Sequence, residues 1–398
     1  MTSRIRIFDH YMQPINGGDF TNLPTTTRAW ILNAYGLCDI SIGYDPNVSQ
    51  ASQAAQERFW QYGNLLHIEH IPDKDENGNY KGKLPDWVGI ILPQRDWDQG
   101  ILHLKAYSAE SILAFRAMPY LSVKGTPRTI FSQILQQAHA KARNIIIQPG
   151  QLDDTALTFS DNLRTNAYDH IKKLTGDAQM DWSVTGSINE RGTLDLFANL
   201  YARKGIDTAL TLNNNNTELA GTLLSEQGTI NNQIFGYSQA QTPGSRYTKE
   251  IVNQASMDDY GPLQLNQVFM GRQDPTSVQN AAQARADSRS RPVKIIKRNA
   301  LDRKNTFDFL DAGNVVTVKD TSVGFHPNGG FGFESQFRII SMDYNDLSNK
   351  VPLNLEFVKD VDIIAPSNNP TPATPSVILW DDGSAILWDD GSKILWDI

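Results

Sequence analysis

Ile101-Leu102-His103-Leu104-Lys105-Ala106-Tyr107 sets Leu102, Leu104 and Ala106 on one side of the chain and His103, Lys105 and Tyr107 on the other. A period of two residues is that of a β-strand with one buried face. The same alternation runs through Arg4-Ile5-Arg6-Ile7-Phe8 and Asp39-Ile40-Ser41-Ile42-Gly43-Tyr44, and Asp86–Leu92 reads as a further strand. Between them, Ser49–Tyr62 is rich in Ala and Gln and predicts a short helix, and Asp73–Tyr80 a polar turn. Several strands with one helix predict a small β-barrel over residues 1–108.

The pattern changes near residue 109. Thr126 and Pro127 have the chemistry of an N-cap and a first helical residue. Ile130, Ile134, Leu135 and Ala138 follow at helical spacing. A second helix is expected over Asp161–Leu174, with Ala167, Ile171 and Leu174 on one stripe and Gly176 ending it. Strands at Met180–Val184 and Thr193–Ala198 complete an α/β domain over residues 109–205.

Strands return at Thr229–Ser238, Pro292–Arg298, Asn314–Val318, Phe337–Met342 and Leu353–Phe357. They predict a second barrel over 206–362, with an insertion around 241–290. In that insertion Asp274-Pro275-Thr276-Ser277 caps a helix over Val278–Ser288, whose weakly apolar sequence predicts packing on one face only. Gly324–Gly332 is too rich in glycine for regular structure. The expected fold class is mainly β with an α/β insertion: two small tube-like barrels, one α/β domain and a repeat tail.

Residues 363–376 read as a linker. Four prolines lie between Ala365 and Ser376, and at about 3.1 Å per residue an extended segment of that length spans roughly 35 Å. Residues 377–398 then repeat an eight-residue unit: Ile378-Leu379-Trp380-Asp381-Asp382-Gly383-Ser384, Ile386-Leu387-Trp388-Asp389-Asp390-Gly391-Ser392, and Ile394-Leu395-Trp396-Asp397. Asp-Gly is a tight-turn pair and Ile-Leu-Trp suits strands. So short a segment cannot bury three tryptophans by itself. Ile378, Leu379, Trp380, Ile386, Leu387, Trp388, Ile394, Leu395 and Trp396 are therefore the candidate oligomer or partner contacts, with symmetric self-association favoured over docking on a partner or on the chain's own barrel. A sugar-binding platform and a calcium turn are weaker readings. The latter lacks spaced oxygen ligands.

Composition limits the function. A formal net charge of −8 disfavours tight gripping of DNA or anionic lipid. No apolar run approaches a membrane span, and none near the N-terminus reaches a secretory h-region, so no membrane anchor is expected. The single cysteine, Cys38, allows no intrachain disulfide and reads as a buried inert thiol. The chain shows no phosphate-cradling loop, GxSxG elbow or HExxH. His67-Ile68-Glu69-His70 puts His67 and Glu69 on one face of a strand and His70 on the other, a poor chelate. Asp153-Asp154 and Asp258-Asp259 read as solvated pairs. No catalytic residue, cofactor or metal is expected.

The order barrel, α/β domain, barrel resembles the hub family of phage tails and related injection machines. Trp87–Leu92 with Gly100–Arg116 is similar to the passage that closes that family's first barrel. Gly125–Leu135 resembles the start of its second domain, and Ala167–Leu174 with Met180–Val184 its helix and following strand. Ser256–Gly261, Ala312–Val318 and Phe337–Ile340 resemble later passages. Ala312 stands where the family often has proline, and the tryptophan-rich tail departs from the pattern. The resemblance implies a non-enzymatic homotrimer at the virion tail tip, assembled in the host cytoplasm, adapting a sixfold tail tube to a threefold tip. It implies as partners a distal tail protein ring or the tail tube, the tape measure protein, and a central fibre or tip protein. Genomic DNA would pass through the lumen without specific binding. A carbohydrate-binding tail protein and a cell-wall hydrolase are the alternatives.

Overall fold

The computed structural model describes residues 2–21, 25–43, 57–74, 78, 80–98, 100–119, 121–140, 144–163, 165–219, 225–239, 246–269, 271–303, 305–320, 333–348, 350–360, 376–377 and 395–396. Met1–Asp360 and Val361–Ile398 form two compact units.

The first unit opens with seven strands: β1 (Thr2–Phe8), β2 (Pro14–Thr21), β3 (Thr25–Ile31), β4 (Leu37–Gly43), β5 (Leu65–Ile71), β6 (Trp87–Asp98) and β7 (Ile101–Ser108). They lie in the order β3-β4-β7-β6-β5-β1-β2. Alternation in the sequence is alternation in burial: Leu102, Leu104 and Ala106 join Ile5, Ile7, Ile40, Ile42, Ile68 and Trp87 in one core. Cys38 is fully buried in it, and burial pushes its thiol pKa up. Most of the helix expected over Ser49–Tyr62 falls outside the described residues. Within them, residues 58–60 are turn, with Phe59 and Trp60 buried under the sheet.

A 3-10 turn, Ala109–Phe115, leads into β8 (Leu121–Gly125), α1 (Pro127–His139), β9 (Ile147–Leu152), β10 (Phe159–Leu163), α2 (Ala167–Ala178), β11 (Asp181–Ile188) and β12 (Leu194–Tyr201). Thr126 caps α1 by accepting from the Thr129 N–H. Ile130, Ile134, Leu135 and Ala138 are buried as spaced. The second helix differs from expectation at both ends. Phe159–Leu163 is a strand buried along its whole length, and the cap is Asn166, which accepts the Asp169 N–H at 2.8 Å. Gly176 lies inside α2, which instead stops where Gln179 turns left-handed, φ 53°. The core of this region extends to Phe8, Leu65, Val88 and Ile90 of the first seven strands, so the two regions share apolar contacts.

β13 (Asp207–Leu212), β14 (Thr217–Leu219) and β15 (Ser225–Gln227) precede a layered segment. It consists of β16 (Gln233–Ser238), β17 (Thr248–Val252), α3 (Gln254–Tyr260), β18 (Gln264–Phe269) and α4 (Pro275–Ser288). Asp274 caps α4 through the Ser277 N–H at 3.0 Å. α4 packs on two sides, which corrects the one-face expectation. Val278, Ala281 and Ala282 meet the sheet β17-β16-β18. Gln179, just beyond α2, donates to the Ala284 carbonyl from the other side. Alanine is short enough to admit a neighbour on either flank.

β19 (Val293–Leu301), β20 (Val315–Asp320), β21 (Phe333–Asn345) and β22 (Lys350–Asp360) complete the unit. They enclose a third core that includes Ile296, Phe307, Val316, Phe337, Ile339, Met342 and Leu355. Gly324–Gly332 lies outside the described residues. Among those described, fourteen strands form one sheet, because β21 pairs with β20 and β22 and also with β3.

Candidate assembly interface

Of the candidate contacts in the repeats, Leu395 and Trp396 are described. They form β24, antiparallel to β23 (Ser376–Val377), with Ser376 opposite Trp396 and Val377 opposite Leu395. The segment entering the first repeat thus pairs with the third repeat of the same chain. Ile378, Leu379, Trp380, Ile386, Leu387, Trp388 and Ile394 lie outside the described residues.

The first unit contains a junction that brings distant parts of the sequence together. β21 is thirteen residues long, enough for its first half to pair with β20 and its second half with β3. Ser341 faces Ile31 and Asn345 faces Thr27. Beneath this pairing the Arg28 side chain is fully buried and bonds Asp346 at 3.1 Å. Its Nη1 also donates to Ser3 at 2.9 Å and Thr26 at 2.6 Å. Asp346 accepts the Thr26 N–H at 2.7 Å. The guanidinium lies 4.8 Å from the Tyr344 ring. Removing one partner from such a buried pair costs about 3–5 kcal/mol, because a charge is left without compensation.

Asp181 forms a second clasp. Its Oδ1 accepts from Asn33 Nδ2 at 2.8 Å. Its Oδ2 accepts from the Lys204 N–H at 2.8 Å and from Arg338. One carboxylate therefore ties the β3–β4 turn, the β12–β13 connection and β21. Nearby, Gly205 at φ 89° has Gly313 so close that a Cβ would stand 2.3 Å from its carbonyl carbon. The outer edge of β11, buried over Asp181–Val184, is capped by side chains. Asn33 accepts the Trp182 N–H at 2.8 Å, and Glu110 accepts the Val184 N–H at 2.9 Å. Burial raises the Glu110 pKa, against the pull of its hydrogen bonds with Ser108 and the Val184 N–H. Between this edge and β3 lies a cavity of about 350 Å³, lined by Trp30, Trp87 and Trp182 among others.

The histidines of His67-Ile68-Glu69-His70 make polar contacts within the chain. His67 Nε2 pairs with Asp86 at 3.2 Å, on the same face as Glu69, which Lys83 reaches at 3.0 Å. His70, on the opposite face, is buried and its Nδ1 accepts the Leu84 N–H at 3.3 Å. Asp153 and Asp154 cap backbone groups of Ala202 and Arg128.

No family model matches the sequence, and no curated protein does. The structure does have counterparts. Prophage tail protein gp18 of Listeria monocytogenes EGD-e superposes with a TM-score of 0.54 at 11% identity, over 90% of this chain and 95% of that one. This chain has the fold of phage tail proteins. The tail protein of Neisseria meningitidis MC58 gives a TM-score of 0.51 at 12% identity, over 89% and 96% of the two chains. The 43 kDa tail protein of prophage MuSo2 from Shewanella oneidensis gives 0.51 at 10%, over 89% and 98%.

In this tail-protein fold the passages that carry the sequence resemblance hold structural positions. Trp87 is buried and donates to the Ala29 carbonyl at 3.1 Å. Arg116 binds the carbonyls of Asn144 and Ile145, both at 3.0 Å. Ser256–Gly261 covers most of α3 and its cap, Gly261 at φ 73°. Ala312–Val318 enters β20, and Phe337–Ile340 is the middle of β21. The Asp181 clasp and the Arg28–Asp346 pair carry no local signal, because their partners are far apart in the chain.

Proposed function

We propose that the chain is a non-enzymatic structural subunit of a bacteriophage tail tip, acting as a trimeric hub. The observation that carries the proposal is the match to three tail proteins over nearly the full length of each chain. The continuous sheet supports it, because β3–β21 pairing joins the two β regions in one sheet. Three copies with two barrels each supply six similar elements around an axis, which adapts a sixfold tube to a threefold tip. On this reading the domains are 1–108 and 206–362, two barrels flanking the α/β domain 109–205. The tube or a distal ring lies above, a central fibre or tip protein below, and the tape measure protein and DNA occupy the lumen. The chain's net charge of −8 suits a conduit, since a basic lumen would retain DNA by counterion release.

The tail after residue 362 is the attachment. Its repeats, which carry Trp380, Trp388 and Trp396, associate around the axis or hold a fibre. In the third repeat Leu395 and Trp396 are strand, paired with Val377 and Ser376. Light scattering of the full chain and of a truncation at Ala365 tests both parts. The hub reading predicts a trimer for the full chain. If the truncation stays trimeric, the repeats serve docking; if it falls to monomer, they hold the trimer. A full-length monomer at high concentration would contradict the hub.

A further inference from the structure

The sheet β17-β16-β18 covers α4 with one face and leaves the other open. Ile234, Ile251 and Leu265 stand in register on the inner face, in the core with Phe269 and Val278. Side chains alternate along strands, so the outer face is a grid of three by three. Its central column, on β16, is Gln233, Phe235 and Tyr237. On one side β17 sets Val252, Glu250 and Thr248 opposite them, and on the other β18 sets Gln264, Asn266 and Val268. The six flanking residues are exposed and the central three half-buried.

The chemistry of this grid selects among partners. Gln264 Nε2 donates to Gln233 Oε1 at 2.8 Å, and Gln233 Nε2 donates to Glu250 Oε1 at 2.6 Å. This chain crosses all three strands and fixes both amides before any ligand arrives. Each amide keeps a further N–H and Glu250 a second oxygen for a ligand. Phe235 and Tyr237, two residues apart on one strand, are spaced by about 7 Å and offer stacking faces. The grid holds no lysine or arginine, and its single charge is the Glu250 carboxylate. A polyanion would find no counter-charge there. Val252, Phe235, Tyr237 and Val268 form a short diagonal apolar band edged by Gln233, Glu250, Thr248, Gln264 and Asn266, a narrow strip bordered by polar groups rather than the broad apolar centre of a protein–protein interface.

We propose that this face binds an uncharged polysaccharide chain. Phe235 and Tyr237 stack on the apolar faces of sugar rings, and the amides, Thr248 and Glu250 take the hydroxyls. The proposal stands on this face alone and does not depend on the hub reading. The experiment titrates the full-length protein with uncharged oligosaccharides (malto-, cello-, xylo-, manno- and chitohexaose, and dextran) by saturation-transfer NMR and calorimetry. At least one is expected to bind. Phe235→Ala with Tyr237→Ala should weaken it tenfold or more, and Gln264→Ala about threefold, with circular dichroism unchanged. Asn266→Ala is a milder surface variant that reads the same site if the double variant misfolds. Tyr62→Ala, at an exposed aromatic elsewhere in the first unit, should leave binding unchanged. The proposal is overturned if no oligosaccharide binds, if binding survives every variant on the grid, or if Tyr62→Ala abolishes it. It is also overturned if the protein prefers single-stranded DNA, or if the double variant abolishes only self-association.

Discussion

At the scale of the residue, the molecule depends on a few buried polar groups that join distant segments. Asp181 ties three segments, so Asp181→Ala should leave Arg338 its two carbonyl acceptors but no carboxylate, remove the acceptor of the Asn33 amide, and destabilise the first unit by about 2–4 kcal/mol. A lower urea midpoint with an unchanged m-value would register this, whereas a loss under about 0.5 kcal/mol would deny the clasp its role. His70 makes stability depend on pH. Burial, with a contribution from Arg28, lowers its pKa to about 4 from the ordinary 6.5. The unfolded chain therefore takes a proton near pH 6.5 that the folded chain refuses until about pH 4. Stability present above pH 6.5 is lost progressively down to pH 4, by about 3 kcal/mol from this group. Asp161 acts lower. Burial would raise its pKa, but the hydrogen bond from His170 and the charges of Lys173 and Arg272 lower it to about 2. Its contribution is complete above the unfolded value of 3.8 and fades as pH falls towards 2. Urea melts from pH 7.5 to 4 should show the first slope, and His70→Asn should flatten it.

At the scale of the element, legibility followed burial geometry. Strands with one wet face, such as Ile101–Ser108, declare themselves by alternation, and capped helices such as Pro127–His139 by Thr126 and the apolar stripe. Phe159–Leu163 is buried on both faces, so it has no alternation and reads as the start of the helix that follows. The alanines of Pro275–Ser288 are weak signals by hydropathy, yet their small size lets the helix lie between a sheet and α2. Ala282 is fully buried there, so Ala282→Leu should overpack the layer and cost about 1–3 kcal/mol. A thermal midpoint equal to that of the parent would show that the layer has room.

At the scale of the whole molecule, a mainly β chain with a few helices was legible from periodicity, but the union of its early and late strands in one sheet was not. Pairing of Ser341 with Ile31 is a contact across more than three hundred residues, and no local pattern encodes it. The candidate contacts in the repeats were legible only as a recurrence. Their number and spacing demand cover for three tryptophans, without saying what provides it. The hub reading turns on where three joined pairs of β regions sit. The most direct measurement is electron microscopy of assembled phage particles carrying a bulky label fused to this subunit. A trimeric hub at the tail tip should give three label densities around the tail axis at the end away from the capsid. Label along the tube, on the capsid or absent from the particle would contradict it.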